Sequence, residues 1–131
     1  MTTPRCVVDA SAVLAWIFDE HGSDAVEKVL SVSALSTVNL AEVLYRADED
    51  GMQTDRLEQD LRDLGVQIEP FVADDAVGVK LIRRQSRKKN LGLSLADCCC
   101  IATAQRLGVQ VVGGDRAWDA LDLDVEIQPF R

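Results

Sequence analysis

An α/β fold, with a mostly parallel sheet of four or five strands covered by helices on both faces, is what the 131-residue sequence predicts. Three observations lead there. Short, valine-rich apolar runs alternate with longer segments whose apolar residues recur at helical spacing. Glycines stand where two of those helical segments should stop. Aspartates stand just after the first and fourth apolar runs, and open parallel sheets bind ligands beyond the carboxyl ends of their strands.

Arg5 to Val8 reads as a buried strand, ended by Asp9-Ala10-Ser11, with a short helix from Ala12 to Phe18. Ser23 is placed to cap a second helix carrying Val26, Val29 and Leu30. Ala34 to Val38 is the second strand, and a helix from about Asn39 to Glu49 turns Leu40, Val43, Leu44 and Ala47 inward. Thr54 starts a helix with Leu57, Leu61 and Leu64 spaced for burial, and Gly65 stops it. Val66 to Phe71 forms the third strand, and Asp74 is placed to cap a helix ending in a basic run. Ser94 opens a helix that continues to Leu107, where Gly108 stops it. Val109 to Val112 and Val125 to Gln128 complete the strands. With no repeat, low-complexity tract or linker, residues 1–131 are expected to form one domain.

Apolar residues make up 47% and charged residues 27%, the balance of an ordinary globular chain that can bury a core. No apolar run approaches the roughly 18 residues of a membrane span, and the N-terminus has no secretory signal pattern, so a cytoplasmic protein is expected. Cys6 and the run Cys98-Cys99-Cys100 lack metal-ligand spacing, and His21 is the sole histidine, which argues against zinc. Three cysteines in an apolar helical stretch read as small hydrophobes in a reducing compartment. The net charge of −8 opposes nucleic-acid binding unless cations held among carboxylates reverse the local field. Lys80, Arg83, Arg84, Arg87, Lys88 and Lys89 form a basic run that is either a solvated helix face or a phosphate-tracking patch.

Four carboxylates are placed to converge on one crevice. Asp9 follows the first strand, Asp115 follows the fourth across Gly113-Gly114, and Glu42 and Asp97 stand in the first turns of helices. Each has a local alternative: Asp97 completes a capping-box pattern with Ser94, Glu42 serves a helix start, Asp115 caps the helix containing Trp118, and Asp9 begins a turn. Asp9 nevertheless interrupts neighbours that are all small or apolar. Two carboxylates about 4 Å apart repel by about 4 kcal/mol at an effective dielectric near 20, so four in one pocket require protons or cations. An all-oxygen set without histidine or thiolate suits Mg²⁺ or Mn²⁺, and such an ion could activate water toward a phosphodiester.

The segments Val7-Val8-Asp9-Ala10-Ser11-Ala12, Asn39-Leu40-Ala41-Glu42-Val43, Leu93-Ser94-Leu95-Ala96-Asp97-Cys98 and Gly114-Asp115-Arg116-Ala117-Trp118 resemble the four acidic motifs of PIN domains. Their order, spacing and chain length resemble the VapC-type toxins of toxin–antitoxin pairs, over essentially the whole sequence. The resemblance implies a three-layer α/β/α fold and a Mg²⁺- or Mn²⁺-dependent endoribonuclease. It implies Asp9 and Asp97 as the direct metal ligands, with Glu42 and Asp115 completing the acidic pocket. Ser11 matches a hydroxyl position that bonds the scissile phosphate or an acidic neighbour; a plain helix N-cap is the other reading. A homodimer silenced by a cognate antitoxin is implied as well, with a basic side chain of the partner entering the acidic pocket.

One departure concerns Gly113, where members of the family commonly carry Thr or Ser two residues before the fourth aspartate. It removes a hydroxyl from the pocket edge and loosens the loop, which makes Asp115 the least secure of the four. Asp119, one turn onward, either shares that role or decorates an exposed helix. Trp16, Phe18, Tyr45 and Trp118 read as core or interface residues rather than base-stacking platforms. The alternative function is a catalytically weak PIN module that binds RNA or protein. A receiver or phosphatase domain is disfavoured, because Asp9-Ala10-Ser11 is neither an acidic pair nor Asp-x-Asp.

Overall fold

The computed structural model describes residues 2–131. Five strands, β1 (Cys6–Val8), β2 (Ser33–Ser36), β3 (Gln67–Glu69), β4 (Gln110–Val112) and β5 (Ile127–Gln128), form one sheet in the order β3-β2-β1-β4-β5. Every pairing is parallel, so the expected mostly parallel sheet is wholly parallel among the described residues. The helices are α1 (Ala10–Ile17), α2 (Ser23–Leu30), α3 (Thr37–Glu49), α4 (Leu57–Asp63), α5 (Ala73–Lys88) and α6 (Leu95–Leu107). Residues Arg116–Ala120 form a 3-10 turn rather than the expected α-helix around Trp118.

Alternation along the strands makes the three layers. Cys6, Val8, Leu35 and Val112 point into one core with Val13, Val26, Leu40, Val43 and Leu61, from α1 to α4. Val7, Ala34 and Val111 point into the other, with Ile82, Cys98, Ile101 and Ala104 from α5 and α6. Both faces of the central strands are therefore covered, which is why they read as continuous apolar runs. The four cysteines are buried and free. Burial pushes the Cys6 and Cys98 thiols up to about 11, and Cys100 well above its usual value, so they serve as packing groups.

Side-chain capping shifts several boundaries from those expected. Ser36 ends β2 and accepts the Val38 N–H at 3.3 Å, so α3 begins at Thr37 instead of Asn39. Gly22, not Ser23, occupies the N-cap of α2, and Ser23 is its first helical residue. Asp74 does not cap α5; Asp75 does, accepting the Val72 N–H at 3.1 Å. The buried Asp75 also receives Arg106 Nε at 2.7 Å and Nη2 at 3.2 Å. Arg106 Nη1 lies 3.0 Å from Glu69, at the end of β3, so one guanidinium joins α6, α5 and the sheet edge.

Among the described residues, no helix is long and apolar enough to cross a membrane.

Candidate active site

In the order β3-β2-β1-β4-β5 the chain runs outward from β1 in both directions, so a crevice opens beyond the carboxyl ends of β1 and β4. A cleft of about 220 Å³ lies there. Asp9, Ser11, Glu42, Asp97 and Asp115 all line it, so the four motif carboxylates and the motif serine reach one place.

Asp9 is only 5% exposed and is the N-cap of α1. One oxygen accepts the Ala12 N–H at 2.8 Å, the other accepts the Gly114 N–H at 2.8 Å, and Ser11 Oγ lies 2.8–2.9 Å from both. Ser11 is thus no N-cap; it sits inside the first turn and holds the capping carboxylate. Burial raises the Asp9 pKa above its ordinary value of 3.8, the hydrogen bonds from Ala12, Gly114 and Ser11 oppose the shift, and the Asp97 charge adds to it.

Asp97 shares a reciprocal capping box with Ser94: the Ser94 N–H donates to Asp97 Oδ2 at 2.9 Å, and the Asp97 N–H donates to Ser94 Oγ at 3.1 Å. Asp115 caps the 3-10 turn by accepting the Ala117 N–H at 2.8 Å. Glu42 lies in the second turn of α3, because that helix starts earlier than expected, and it pairs with Arg46 at 3.4 Å. The local roles and the shared cleft are therefore compatible. Helices that follow parallel strands, or run antiparallel to them, present their N-termini at the strands' carboxyl edge, so three capping aspartates surround the crevice.

Gly113 has a physical explanation that the sequence did not supply. A Cβ there would stand 2.3 Å from Asp9 Oδ1, and the residue has φ +147°. The backbone passes hard against the Asp9 carboxylate, which lets the next residue's N–H bond it, and the Gly113 N–H is itself tied to the Gln128 carbonyl at 3.0 Å. The glycine belongs to the Asp9 cradle. Asp119 is exposed and, unlike Asp115, does not border the cleft. Trp118 is core and also borders the cleft, while Tyr45 and Phe18 are exposed.

Arg46, Asn39 and Arg131 also line the cleft, although the sequence reading gave them no role. Arg46 lies one turn from Glu42, a spacing that signals pairing on a helix. Asn39 donates Nδ2 to the Ala96 carbonyl at 3.1 Å, while its buried Oδ1 has no partner. An amide three residues before Glu42 shares its helix face, which was the available signal.

Among the described residues, no three His, Cys, Asp or Glu side chains stand close enough to hold an ion as they are placed. Asp9, Glu42, Asp97 and Asp115 border the cleft from four separate segments. The donor chemistry does fit a hard divalent cation. The set is all oxygen, the Asp9 carboxylate is destabilised by burial and by Asp97, and Asn39 leaves an unpartnered oxygen in a residue that borders the cleft.

An all-parallel α/β domain with an acidic cleft at its topological switch point is the class these features define. The PIN domain family model matches residues 6–123, and the chain belongs to that family. Among solved structures it is similar to a toxin–antitoxin complex from Klebsiella pneumoniae, with TM-score 0.73, 18% identity, and coverage of 89% of this chain and 92% of that one. It is also similar to DNA-bound VapBC from Salmonella typhimurium, with TM-score 0.73, 14% identity, and coverage of 98% and 99%. VapBC2 from Rickettsia felis, bound to a DNA fragment from their promoter, gives TM-score 0.69, 15% identity, and coverage of 94% and 96%. No curated protein sequence matches the chain.

Proposed function

We propose that this chain is a divalent-cation-dependent endoribonuclease, the toxin half of a toxin–antitoxin pair, acting in the cytoplasm as a homodimer until a cognate antitoxin silences it. The observation that carries the reading is that Asp9, Glu42, Asp97 and Asp115, from four separated segments, border one cleft in a PIN domain. The toxin–antitoxin complexes among the similar structures support the biological setting. Asp9 and Asp97 would hold Mg²⁺ or Mn²⁺ directly, with Glu42 and Asp115 completing the acidic shell. Bound there, the ion supplies Lewis acidity toward water and the phosphodiester.

The chain's own groups do the rest. Ser11, Ala12 and Gly114 fix the Asp9 carboxylate in one orientation and satisfy its lone pairs on the helix side. Arg46 holds Glu42 and brings a positive charge to a cleft that must accept a phosphate. Incubation of purified protein with a mixed, structured RNA is expected to give cleavage with Mg²⁺ or Mn²⁺ and none with EDTA. Intact RNA under every divalent cation, with protein shown free of antitoxin, would reject the nuclease reading. The second reading, a PIN module that binds RNA or protein without cleaving, draws on the net charge of −8. Divalent-cation affinity without cleavage of varied RNAs would favour it.

Two further outcomes follow from the electrostatics. The raised Asp9 pKa means that the folded chain takes up this proton more readily than the unfolded one. Its protonation therefore favours the fold, and that contribution is lost as pH rises from 3.8 through the raised value. At neutral pH the charged carboxylate is a liability that a bound cation offsets. Mg²⁺ is expected to raise the unfolding temperature at pH 7, with the increment shrinking as pH falls toward the raised Asp9 pKa, as read by scanning fluorimetry. An increment independent of pH would separate cation binding from Asp9. Replacing Arg46 by Gln removes a competing cation that is half exposed and so well screened. Mn²⁺ affinity measured by calorimetry should tighten by less than about tenfold; weaker binding would show that Arg46 organises the site.

A further inference from the structure

We infer that the C-terminal half of α5 is a second phosphate-binding surface, the track for the RNA strand as it leaves the acidic cleft; the inference rests on RNA being the substrate. Lys80, Arg83, Arg84, Arg87 and Lys88 line a surface depression of about 440 Å³, and no carboxylate borders it. In a chain of net charge −8, this is a concentrated cationic face. Among the described residues none of the five forms an ion pair. Lys80, Arg84 and Lys88 form one row and Arg83 and Arg87 a second, each step of four residues advancing about 6 Å along the helix. Cations repeated in two adjacent rows along a helix suit a polyanion better than a single ligand.

The position of the face favours RNA over an acidic protein segment. Arg83 Nη1 donates to the Leu93 carbonyl at 2.7 Å, four residues before Asp97. Lys89 Nζ donates to the Ala120 carbonyl, five residues after Asp115. Gln85 exchanges hydrogen bonds of 2.8 and 2.9 Å with the Asp122 backbone. The basic end of α5 is thus braced against the two segments that carry Asp97 and Asp115 into the cleft. A strand whose reacting phosphate lies in the cleft can pass from one surface to the other. Three of the five cations are arginines, whose planar fork suits phosphate oxygens.

The test measures RNA binding apart from cleavage. In the Asp97→Asn background with Mg²⁺, the affinity of a labelled single-stranded RNA of about 20 nucleotides is followed against salt, with and without Arg84→Glu, Arg87→Glu and Lys88→Glu. Arg83 and Lys89 are left intact because they brace the backbone. Binding at least about tenfold weaker, with a salt slope shallower by about 2 (three contacts at about 0.7 each), is the expected result. Where charge reversal lowers the unfolding temperature, the glutamine set at the same positions gives the same readout. An unchanged affinity and slope would overturn the track while leaving the nuclease reading intact. Loss of binding to a protein partner with RNA affinity retained would overturn it too, and assign the face to that partner. A parent that binds no RNA would remove both readings, whereas a wild-type protein that binds RNA along α5 but never cleaves it would remove only the nuclease.

Discussion

Asp97→Asn protein is expected to cleave RNA at least about a hundredfold more slowly than the wild type, while unfolding at nearly the same temperature. The substitution removes one negative charge from the cleft and keeps an oxygen that can accept the Ser94 N–H, so the capping box at the start of α6 survives. Several kcal/mol of transition-state stabilisation from a bound cation corresponds to two or three factors of ten in rate. Asp97→Ala separates the two roles. It should be equally inactive, but it also loses the cap and about 0.5–2 kcal/mol of stability. Initial rates on a defined RNA, beside thermal unfolding, decide the matter. Wild-type rates from a folded Asp97→Asn protein would remove Asp97 from the chemistry.

Gly113→Ala should be the most destabilising single methyl group at the site. The new Cβ would lie 2.3 Å from Asp9 Oδ1 and 2.5 Å from its Cγ, at a φ of +147°. Asp9 has no room to retreat, because Ser11, Ala12 and Gly114 hold its two oxygens from different sides. Backbone strain of about 1–3 kcal/mol and overpacking of similar size add to about 2–6 kcal/mol, with cation affinity lost alongside. Gly92→Ala is the comparison. Its φ of +68° carries backbone strain, yet nothing lies within 4 Å of its Cβ, so only the strain should appear. Equal unfolding temperatures for the two variants in circular dichroism would show that Gly113 does not press on Asp9.

The architecture was legible because its signals are periodic. Val7-Val8, Val111-Val112 and the spacing of α3 follow from which faces are buried, and burial imposes the period. Leu64, expected inside with Leu57 and Leu61, is instead exposed at the end of α4. Element ends were less legible, since they depend on which side chain captures a free N–H. Ser36 outcompeted continuation of β2, and Asp75 rather than Asp74 took the α5 terminus. The four carboxylates were legible from their placement after strands and in the early turns of helices, although Glu42 lies a turn further along α3 than expected. What the sequence could not reveal was the support around them. The Gly114 N–H on Asp9, the Gly113 approach and the Asn39 bridge to Ala96 join residues far apart in the chain. Such contacts leave no local pattern.

The bond from the Gly114 N–H to Asp9 spans 105 residues of sequence. During synthesis, Asp9 leaves the ribosome 105 residues ahead of Gly114. Glu42 and Asp97 emerge between them, and β4 must dock beside β1 before Gly113 can reach the carboxylate. Contacts of such long sequence separation form late, because closing the intervening loop has to precede any reward from them. The acidic cleft therefore has no partial version on a growing polypeptide. Until Gly114 has been made and β4 has docked beside β1, Asp9 lacks the backbone bond that orients its carboxylate.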